Sequence, residues 1–276
     1  MSKISIITIN YNNLEGLKRT VESVINQTWK EFEYIVIDGG SSDGSKEYIE
    51  SHSKSIDYWV SESDSGIYNA MNKGIAKATG EYLLFLNSGD HFYENTVLEK
   101  NYKFIDEYDL IYFNLQIIEN NNIKIKEDPE FLSFSFLLNN CLSHPTTFIK
   151  KELFSLVGMY DEKYKIVSDW KFFLFALFRY NCSYKKINSI LSSFYLGGIS
   201  SSFDNHIERD KVLNEDFKAF ISDYEELYVK TDLLNTNRFK MLQEIEKNII
   251  GKKMVSLFFR AYIVLFSKNK LKNILN

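Results

Sequence analysis

The amino-acid sequence predicts an α/β fold, in which helices cover both faces of a mostly parallel central sheet. Two observations lead to this prediction. Over residues 1–118, short apolar runs alternate with segments whose apolar residues recur at helical spacing. Polar and acidic residues directly follow several of the apolar runs. Because parallel strands end at a common edge, where ligands of such sheets bind, the sequence also predicts a polar binding site at that edge.

The predicted elements of this first part are joined by short connections. Strands are predicted at residues 3–10, 32–37, 58–60, 81–86 and 109–118. Helices are predicted at residues 14–27, 45–52, 67–78 and 95–107. The first helix rests on the spacing of Leu17, Val21 and Val24, which places all three on one face. This order predicts right-handed crossovers between parallel strands.

The remainder of the chain has a different character. Residues 119–129 are polar and predict a loop or a β-turn excursion, whereas residues 131–196 are aromatic and are expected to complete the sheet in a second lobe. The run at 197–202 is rich in Gly and Ser, which makes it a candidate lid, and residues 206–250 predict a long charged helix. We therefore expect one α/β domain at 1–205, with halves 1–118 and 119–205, and a helical extension at 206–276.

Composition excludes several classes of protein. The 276 residues are 45% hydrophobic and 16% aromatic with only two prolines, so the chain can bury a large core and is neither disordered nor a repeat array. Cys141 and Cys182 lack metal-ligand spacing, so neither a disulfide scaffold nor a zinc site is indicated. We expect a cytoplasmic protein that does not bind nucleic acid.

The C-terminal tail carries a charge of its own. Residues 238–276 contain nine Lys or Arg against two Glu, a balance of +7 in a chain whose net charge is −4. Within this tail, the apolar run at 254–266 is interrupted by Arg260 and is shorter than the roughly 20 residues that span a membrane. Two interpretations stay open. Residues 252–272 form a helix that lies on an anionic membrane surface, or the helix packs on the main domain.

Three acids stand in suggestive positions, each with an ordinary alternative. Asp38 begins a loop of small residues and either accepts hydrogen bonds from a nucleoside or belongs to a plain strand-to-helix turn. Asp90 ends the turn at 87–90 and either holds a divalent cation or is a good turn former. Asp169 either stabilises a helix N-terminus or, beside an aromatic run, accepts a proton from a hydroxyl. His144 is a satisfied core histidine or a substrate contact.

Taken together, the motifs resemble the bacterial family-2 glycosyltransferases with the GT-A fold, over roughly residues 3–200. The marks of the resemblance are Ser5 to Asn12, Asp38 to Gly44, Ser61 to Gly74, Asn87 to Asp90, His144 to Thr146, and Ser168 to Trp170. The branch that it most resembles builds exopolysaccharide, capsule or O-antigen units. These six ordered motifs at compatible separations make this match far more specific than any single one.

The resemblance implies an inverting transfer from a nucleotide-diphospho-sugar, with UDP as the default nucleotide, to a saccharide or polyprenyl-diphosphate-linked acceptor. It implies nucleotide-sugar binding by Thr8, Asn10, Asp38, Asp64, Asn69, Asn72 and Lys73, a Mg²⁺ or Mn²⁺ ion at Asp90, a catalytic base at Asp169, and acceptor contacts at His144 and Trp170. It also implies a peripheral location on the inner face of the cell membrane.

One departure concerns the metal, because relatives often carry several acids where this chain has Asp90 alone. Two other functions compete with sugar transfer. A sugar nucleotidyltransferase would need a Gly- and Arg-rich N-terminal loop, where this chain has residues 10–13, Asn-Tyr-Asn-Asn. A non-catalytic nucleotide-sugar-binding subunit would not need both Asp90 and Asp169.

Overall fold

The computed structural model describes residues 3–119, 122–196 and 205–266. The chain divides into two compact units, residues 1–209 and 210–276, which we describe separately. The candidate lid at 197–202 and the end of the basic tail, residues 267–272, lie outside the described residues.

The first unit is built around a single sheet. Its described strands are β1 (Ile4–Asn10), β2 (Phe32–Asp38), β3 (Tyr58–Ser61), β4 (Tyr82–Phe85), β5 (His91–Phe92), β6 (Leu110–Glu119), β7 (Asn122–Lys126), β8 (Thr147–Lys150) and β9 (Tyr184–Tyr195). Its helices are α1 (Leu14–Ile25), α2 (Ser45–Ser51), α3 (Ile67–Lys77), α4 (Val97–Asn101), α5 (Phe134–Asn139), α6 (Glu152–Leu156) and α7 (Ser168–Leu174). The strand order is β3-β2-β1-β4-β8-β6-β9-β5, with β7 paired to β6 as a hairpin.

Strand directions confirm the predicted mostly parallel sheet. β1 runs parallel to β2 and β4, and β2 runs parallel to β3. β8 is antiparallel to both β4 and β6, so β6 runs in the direction of β4, and β9 is parallel to β6. Six of the described strands therefore share one direction, whereas β5, β7 and β8 oppose it. The carboxyl ends of β1, β2, β3 and β4 lie at one edge.

The core explains why these segments fold as predicted. Every residue of β1 is buried, as expected for a central strand covered on both faces. Helix α1 buries Leu17, Val21 and Val24 together, and the Asn13 side chain caps its start by accepting from the Gly16 amide. Helix α3 approaches the sheet closely at Gly74, where a Cβ atom would lie 2.5 Å from Ile7 Cγ2. This close approach places the start of α3 beside the carboxyl edge.

Some predicted elements differ in length. The helix predicted at 95–107 is helical only over Val97–Asn101, with a 3₁₀ turn at Tyr102–Phe104, because the chain then reverses through Glu107 in a left-handed conformation. Residues 119–129 include β7 of the β6–β7 hairpin, in agreement with the predicted β-turn excursion.

The long charged helix predicted at 206–250 is several shorter helices. Helix α8 (His206–Asp216) is followed by α9 (Lys218–Asn235), α10 (Asn237–Glu246) and α11 (Ile249–Phe266). The break before α10 has a local cause, since the Thr236 hydroxyl caps the new helix by accepting from the Phe239 amide. Within the described ranges, no helix combines the length and the apolar character that crossing a membrane requires.

Candidate active site

The ends of three neighbouring strands meet in register at the carboxyl edge. Asn10 of β1 is paired with Asp38 of β2, which is paired with Ser61 of β3. The Asp38 carboxylate accepts hydrogen bonds from Asn10 Nδ2 (2.7 Å), Ser61 Oγ (2.6 Å), and both the amide and the hydroxyl of Ser41 (2.9 and 2.6 Å). Four donors fill its acceptor positions, so the carboxylate holds three strand ends together.

Burial by itself would raise the pKa of Asp38, but the hydrogen bonds from Ser41, Ser61 and Asn10 outweigh it and bring the pKa below its ordinary value. The side chain has no exposed surface. A nucleoside could reach this carboxylate only by displacing one of its present donors. In this structure Asp38 therefore organises the loops of the site.

Of the other residues expected at the nucleoside, Thr8 lies inside the core. Its hydroxyl donates to the Leu86 carbonyl oxygen (2.8 Å) and lies 3.1 Å from Tyr34 Oη, and the residue is fully buried. We therefore leave Thr8 out of the candidate site. Asn10 is different, because its Oδ1 atom is buried without a hydrogen-bond partner and can accept from a ligand.

Tyr11 and Asp64 form the accessible part of this edge, and both lie against the buried Gly39. A Cβ atom on Gly39 would lie 2.5 Å from Asp64 Oδ2 and 3.2 Å from Tyr11 Cδ2, so both side chains rest against this glycine. Asp64 Oδ1 accepts from the Gly66 amide at 3.0 Å. Tyr11 is 64% exposed and was not selected from the sequence, although an aromatic residue directly after a strand end could have signalled it.

The turn that carries Asp90 is held in place by α1. The Thr20 hydroxyl donates to the Asp90 carbonyl oxygen (2.6 Å) and accepts from the Gly89 amide (3.0 Å), and Asn13 Nδ2 donates to the Ser88 carbonyl oxygen (3.0 Å). Gly89 has φ of +110°, a backbone conformation that favours glycine. The backbone of the turn is therefore well determined.

The Asp90 side chain is 6% exposed and forms no ion pair within the described part of the chain. Burial raises its pKa to about 7, and a hydrogen bond with the Asn87 backbone offsets part of this rise. A cation would stabilise the ionised carboxylate, so Asp90 fits the role of a metal ligand. However, no group of three or more His, Cys, Asp or Glu side chains that could hold a metal occurs among the described residues. Asp90 would have to share the ion with ligand oxygens or water.

Two further residues that the sequence did not single out flank this turn. The Arg19 guanidinium carbon lies 4.1 Å from the centre of the Tyr195 ring, and Arg19 Nη1 is 3.5 Å from the Gly89 carbonyl oxygen. Tyr195 also stacks on His91, with ring centres 5.6 Å apart. Arg19 thus brings a positive charge to the turn, with its guanidinium face on an aromatic ring.

A second carboxylate, Asp169, lies in the first turn of α7. Its Oδ1 atom accepts a hydrogen bond from Tyr68 Oη at 2.8 Å, and its Oδ2 atom lies 3.8 Å from His144 Nδ1 and 3.9 Å from Cys141 Sγ. The side chain is 21% exposed, so the carboxylate is anchored on one oxygen and still open to a substrate. Such a group can accept a proton from a hydroxyl.

His144 and Trp170 support this carboxylate from the core. His144 is buried against Phe85, its Nε2 atom lies 2.9 Å from Tyr160 Oη, and burial lowers its pKa although Asp169 acts in the opposite direction. Trp170 is 1% exposed and its Nε1 atom donates to the Leu137 carbonyl oxygen at 2.6 Å. The indole nitrogen of Trp170 is occupied by this bond, so we leave Trp170 out of the candidate site, and we treat His144 as a neighbour of Asp169.

The polar residues of α3 connect the two halves of the domain instead of pointing to an open cleft. Asn69 Nδ2 and Asn72 Nδ2 both donate to the Glu162 carboxylate, at 3.0 and 2.9 Å. Asn72 also accepts from the Tyr160 amide and donates to the Tyr160 carbonyl oxygen. Lys73 pairs with Glu62 at 2.8 Å. Glu162, which receives both amides, is a residue that sequence reasoning missed.

Comparison with known proteins places this chain in a family. The model described as Glycosyl transferase family 2 matches residues 5–158, more than half of the chain. An uncharacterized glycosyltransferase of Mycobacterium tuberculosis is 33% identical over 204 residues, which cover 72% of this chain and 77% of that protein.

Solved structures show the same fold. Staphylococcus aureus TarS (residues 1–349) in complex with UDP-GlcNAc superimposes with a TM-score of 0.62 at 19% identity, covering 85% of this chain and 67% of that one. The mannosyltransferase PcManGT from Pyrobaculum calidifontis, in complex with GDP-Man and Mn²⁺, superimposes with a TM-score of 0.56 at 14% identity, covering 95% and 80%. With the family match over residues 5–158, the chain belongs to glycosyl transferase family 2 and is a glycosyltransferase.

Proposed function

We propose that this glycosyltransferase is inverting and moves a sugar from a nucleotide-diphospho-sugar, with a UDP-sugar as the first choice, to a hydroxyl of a saccharide or lipid-linked saccharide. The observation that carries the proposal is the partly exposed Asp169 carboxylate, anchored by Tyr68. Helix α3 starts just after the carboxyl end of β3, so the contact with Tyr68 brings Asp169 to the edge where the strand-end loops meet.

The proposed reaction is a direct displacement. The acceptor oxygen attacks the anomeric carbon, its proton passes to Asp169, and a new carbon–oxygen bond forms. The bond from the anomeric carbon to the diphosphate oxygen breaks, and its electron pair leaves with the diphosphate. Attack from the face opposite the leaving group inverts the anomeric configuration. The enzyme contributes by holding the hydroxyl, the carbon and the base in line.

At the donor end, Tyr11 offers an exposed aromatic face for a base, while Asp64 and the unpartnered Oδ1 atom of Asn10 offer acceptors for ribose or base donors. Asp38 keeps the loops that carry these groups in position. That TarS binds UDP-GlcNAc supports a nucleotide-sugar donor for this chain. Asn69, Asn72 and Lys73, which the resemblance assigns to the donor, would contribute through the position of α3.

For the leaving diphosphate we propose a Mg²⁺ or Mn²⁺ ion bound in part by Asp90. When bound, the ion supplies positive charge to the departing diphosphate. Asp90 is suited to this because it is buried, unpaired with any cation in the described ranges, and raised in pKa to about 7. The Mn²⁺ ion in PcManGT supports the assignment by analogy of fold. Arg19 adds a second positive charge beside the same turn.

For the acceptor we propose a lipid-linked saccharide of cell-surface polysaccharide synthesis, presented at the inner face of the cell membrane. Helix α11 supports this. Lys252, Lys253 and Arg260 share one face of the helix with Ser256, Ile249 and Leu257, while Met254, Phe258 and Tyr262 are exposed elsewhere on it. An amphipathic helix with a basic face binds anionic lipid surfaces. The part of the tail beyond residue 266 lies outside the described residues.

The decisive experiment is a donor screen with the full chain. UDP-, GDP- and dTDP-sugars are incubated with Mn²⁺ or EDTA, and release of the nucleoside diphosphate is measured. We expect release from one donor with Mn²⁺ and its loss in Asp169→Asn, because the amide cannot take a proton. The matched control is Asp106→Asn, which removes an exposed carboxylate paired with Lys3.

The outcomes separate the competing functions. A nucleotidyltransferase would release pyrophosphate from a nucleoside triphosphate and a sugar phosphate. A binding subunit would bind a nucleotide without turnover in any condition, including with lipid extracts as a source of acceptor. If calorimetry shows that UDP, GDP and dTDP all fail to bind, the proposed function is wrong.

A further inference from the structure

Helix α3 connects the proposed donor loop to the proposed base. At its N-terminal side, Asp64 rests on Gly39 and accepts from the Gly66 amide immediately before the helix. In the first turn of the helix, Tyr68 reaches Asp169 across 101 positions of sequence. The same helix is therefore in direct contact with both ends of the reaction that we propose.

The environment of Tyr68 suits a hydrogen-bond donor that stays protonated. The residue is 4% exposed, and burial, followed by the negative charge of Asp169, raises its pKa well above the ordinary value. Its ring packs against Tyr160, with centres 5.6 Å apart. The phenol is thus held at a fixed position with its proton on the oxygen that faces the carboxylate.

Other neighbours of Asp169 do not duplicate this contact. His144 Nδ1 and Cys141 Sγ lie 3.8 and 3.9 Å from Oδ2, longer than the 2.8 Å between Tyr68 Oη and Oδ1. Only the Tyr68 contact is short enough for a strong hydrogen bond among these three. The two oxygens of the carboxylate are consequently unlike each other, because Oδ1 accepts the short hydrogen bond from Tyr68 whereas Oδ2 has only the longer contacts with His144 and Cys141.

The element that carries Tyr68 is itself tightly positioned. Asn72, one turn further along α3, binds both the amide and the carbonyl of Tyr160 at 3.0 and 2.9 Å. Asn69 and Asn72 share the Glu162 carboxylate. These contacts tie α3 to the segment that leads into α7.

We propose that Tyr68 is a positioning residue for the transfer reaction: its hydroxyl fixes Oδ1 of Asp169, leaves Oδ2 to take the acceptor proton, and ties the base to the helix that starts at the donor loop. This inference rests on the proposed function. It predicts that the phenol hydroxyl affects the chemical step and not the binding of the nucleotide.

The test compares Tyr68→Phe with Tyr48→Phe in the full chain. Tyr48 is a matched control because its hydroxyl is buried but has no hydrogen-bond partner. Donor turnover is followed by release of the nucleoside diphosphate, and UDP binding is measured by calorimetry. We expect kcat to fall at least about tenfold in Tyr68→Phe, with the UDP Kd unchanged within about twofold. Tyr48→Phe should leave both unchanged.

A double-mutant cycle gives a readout that does not depend on turnover. Urea unfolding is measured for wild type, Tyr68→Phe, Asp169→Asn and the double variant. We expect the two single effects to be non-additive, since both act on the same hydrogen bond: Tyr68→Phe deletes its donor, and Asp169→Asn removes the negative charge of its acceptor. The Tyr48→Phe and Asp169→Asn pair should be additive.

The outcomes distinguish this inference from the proposed function. If Tyr68→Phe turns over like Tyr48→Phe and its unfolding effect adds to that of Asp169→Asn, the positioning role is overturned even when Asp169→Asn is inactive. An equal loss of nucleotide binding in Tyr68→Phe would also overturn it, because it would show a general structural role. If Asp169→Asn retains full turnover, the proposed base is wrong and the positioning role falls with it.

Discussion

At the scale of single residues, three carboxylates at one edge of the sheet have three different environments. Asp38 receives four hydrogen bonds and has a pKa below its ordinary value. Asp90 is buried without an ion pair in the described ranges, and its pKa rises to about 7. Asp169 is partly open and is anchored through one oxygen. The environment of each carboxylate indicates its role. Asp38 organises the loops, Asp90 is suited to bind a cation, and Asp169 is suited to accept a proton.

The buried charge of Asp90 should cost stability in a pH-dependent way. Its pKa is 3.8 in an ordinary environment and about 7 in the folded chain, so the folded state binds the proton more tightly. The contribution of the protonated Asp90 carboxyl to the free energy of unfolding is therefore fully present below pH 4. This contribution is lost as the pH rises through 7. In EDTA, we expect Asp90→Asn to gain stability relative to wild type between pH 5 and pH 8, by up to about 3 kcal/mol.

Urea unfolding at pH 5 and at pH 8 checks this prediction, with Asp106→Asn as the control at an exposed carboxylate. Mn²⁺ added together with UDP should stabilise wild type at pH 8 and not Asp90→Asn. Parallel pH dependences for wild type and Asp90→Asn would contradict the buried, unpaired state of this carboxylate.

At the scale of elements, α3 is the piece that joins the two halves of the first unit. It packs on the parallel strands through Gly74 and on the segment before α7 through Asn69 and Asn72. The resemblance assigns these two amides to the donor, whereas the structure places them on Glu162 and Tyr160. The arrangement follows from helix geometry, since positions 68, 69 and 72 lie on one side of the helix.

Truncation of Asn72 should destabilise the fold more than truncation of Asn69. Asn72 satisfies both backbone groups of Tyr160 as well as Glu162, whereas the one strong bond of Asn69 goes to Glu162. We expect Asn72→Ala to lower the free energy of unfolding by about 1–3 kcal/mol, and Asn69→Ala by about 0.5–1 kcal/mol. Urea titration measures both, and equal effects would contradict the proposed clamp on Tyr160.

At the scale of the whole molecule, a glycosyltransferase domain is followed by a helical unit with a basic, apolar C-terminal helix. The first unit contains the candidate site within residues 1–209. In the second unit, α11 exposes large apolar side chains such as Phe258 while Lys252 and Arg260 share a different face. Such a surface is costly in water and suits a lipid interface.

Membrane binding through α11 can be tested with vesicles. We expect the full chain to sediment with vesicles containing anionic lipid at low salt and to dissociate as salt rises, because the basic face is screened. Phe258→Asp should reduce the bound fraction severalfold, whereas Met241→Asp, at an equally exposed apolar position on α10, should not. Failure of the full chain to bind, or equal loss in both variants, would contradict the lipid surface as its partner.

Hydrophobic periodicity was sufficient for most of the first unit, because parallel strands buried on both faces have a strong local pattern. It was insufficient for residues 95–107, where apolar spacing continues past the point at which the chain reverses at Glu107. It also could not show which of Thr8 and Asn10 can contact a ligand, since both are polar residues near the carboxyl end of β1. The difference between them depends on Tyr34 and Leu86, which contact the Thr8 hydroxyl from other elements, whereas Asn10 Oδ1 has no partner.

The sequence by itself determined the alternation of strands and helices, the family, and the acids that could carry chemistry, because these depend on local residue patterns. The tertiary structure decided which of those carboxylates still have an oxygen that can bind a ligand or accept a proton. The Asp38 carboxylate already accepts hydrogen bonds from Ser41, Ser61 and Asn10. Asp169 is anchored by a tyrosine 101 positions away. The physical reason is that hydrogen-bond saturation and burial depend on groups from distant segments, which no local pattern of the chain records.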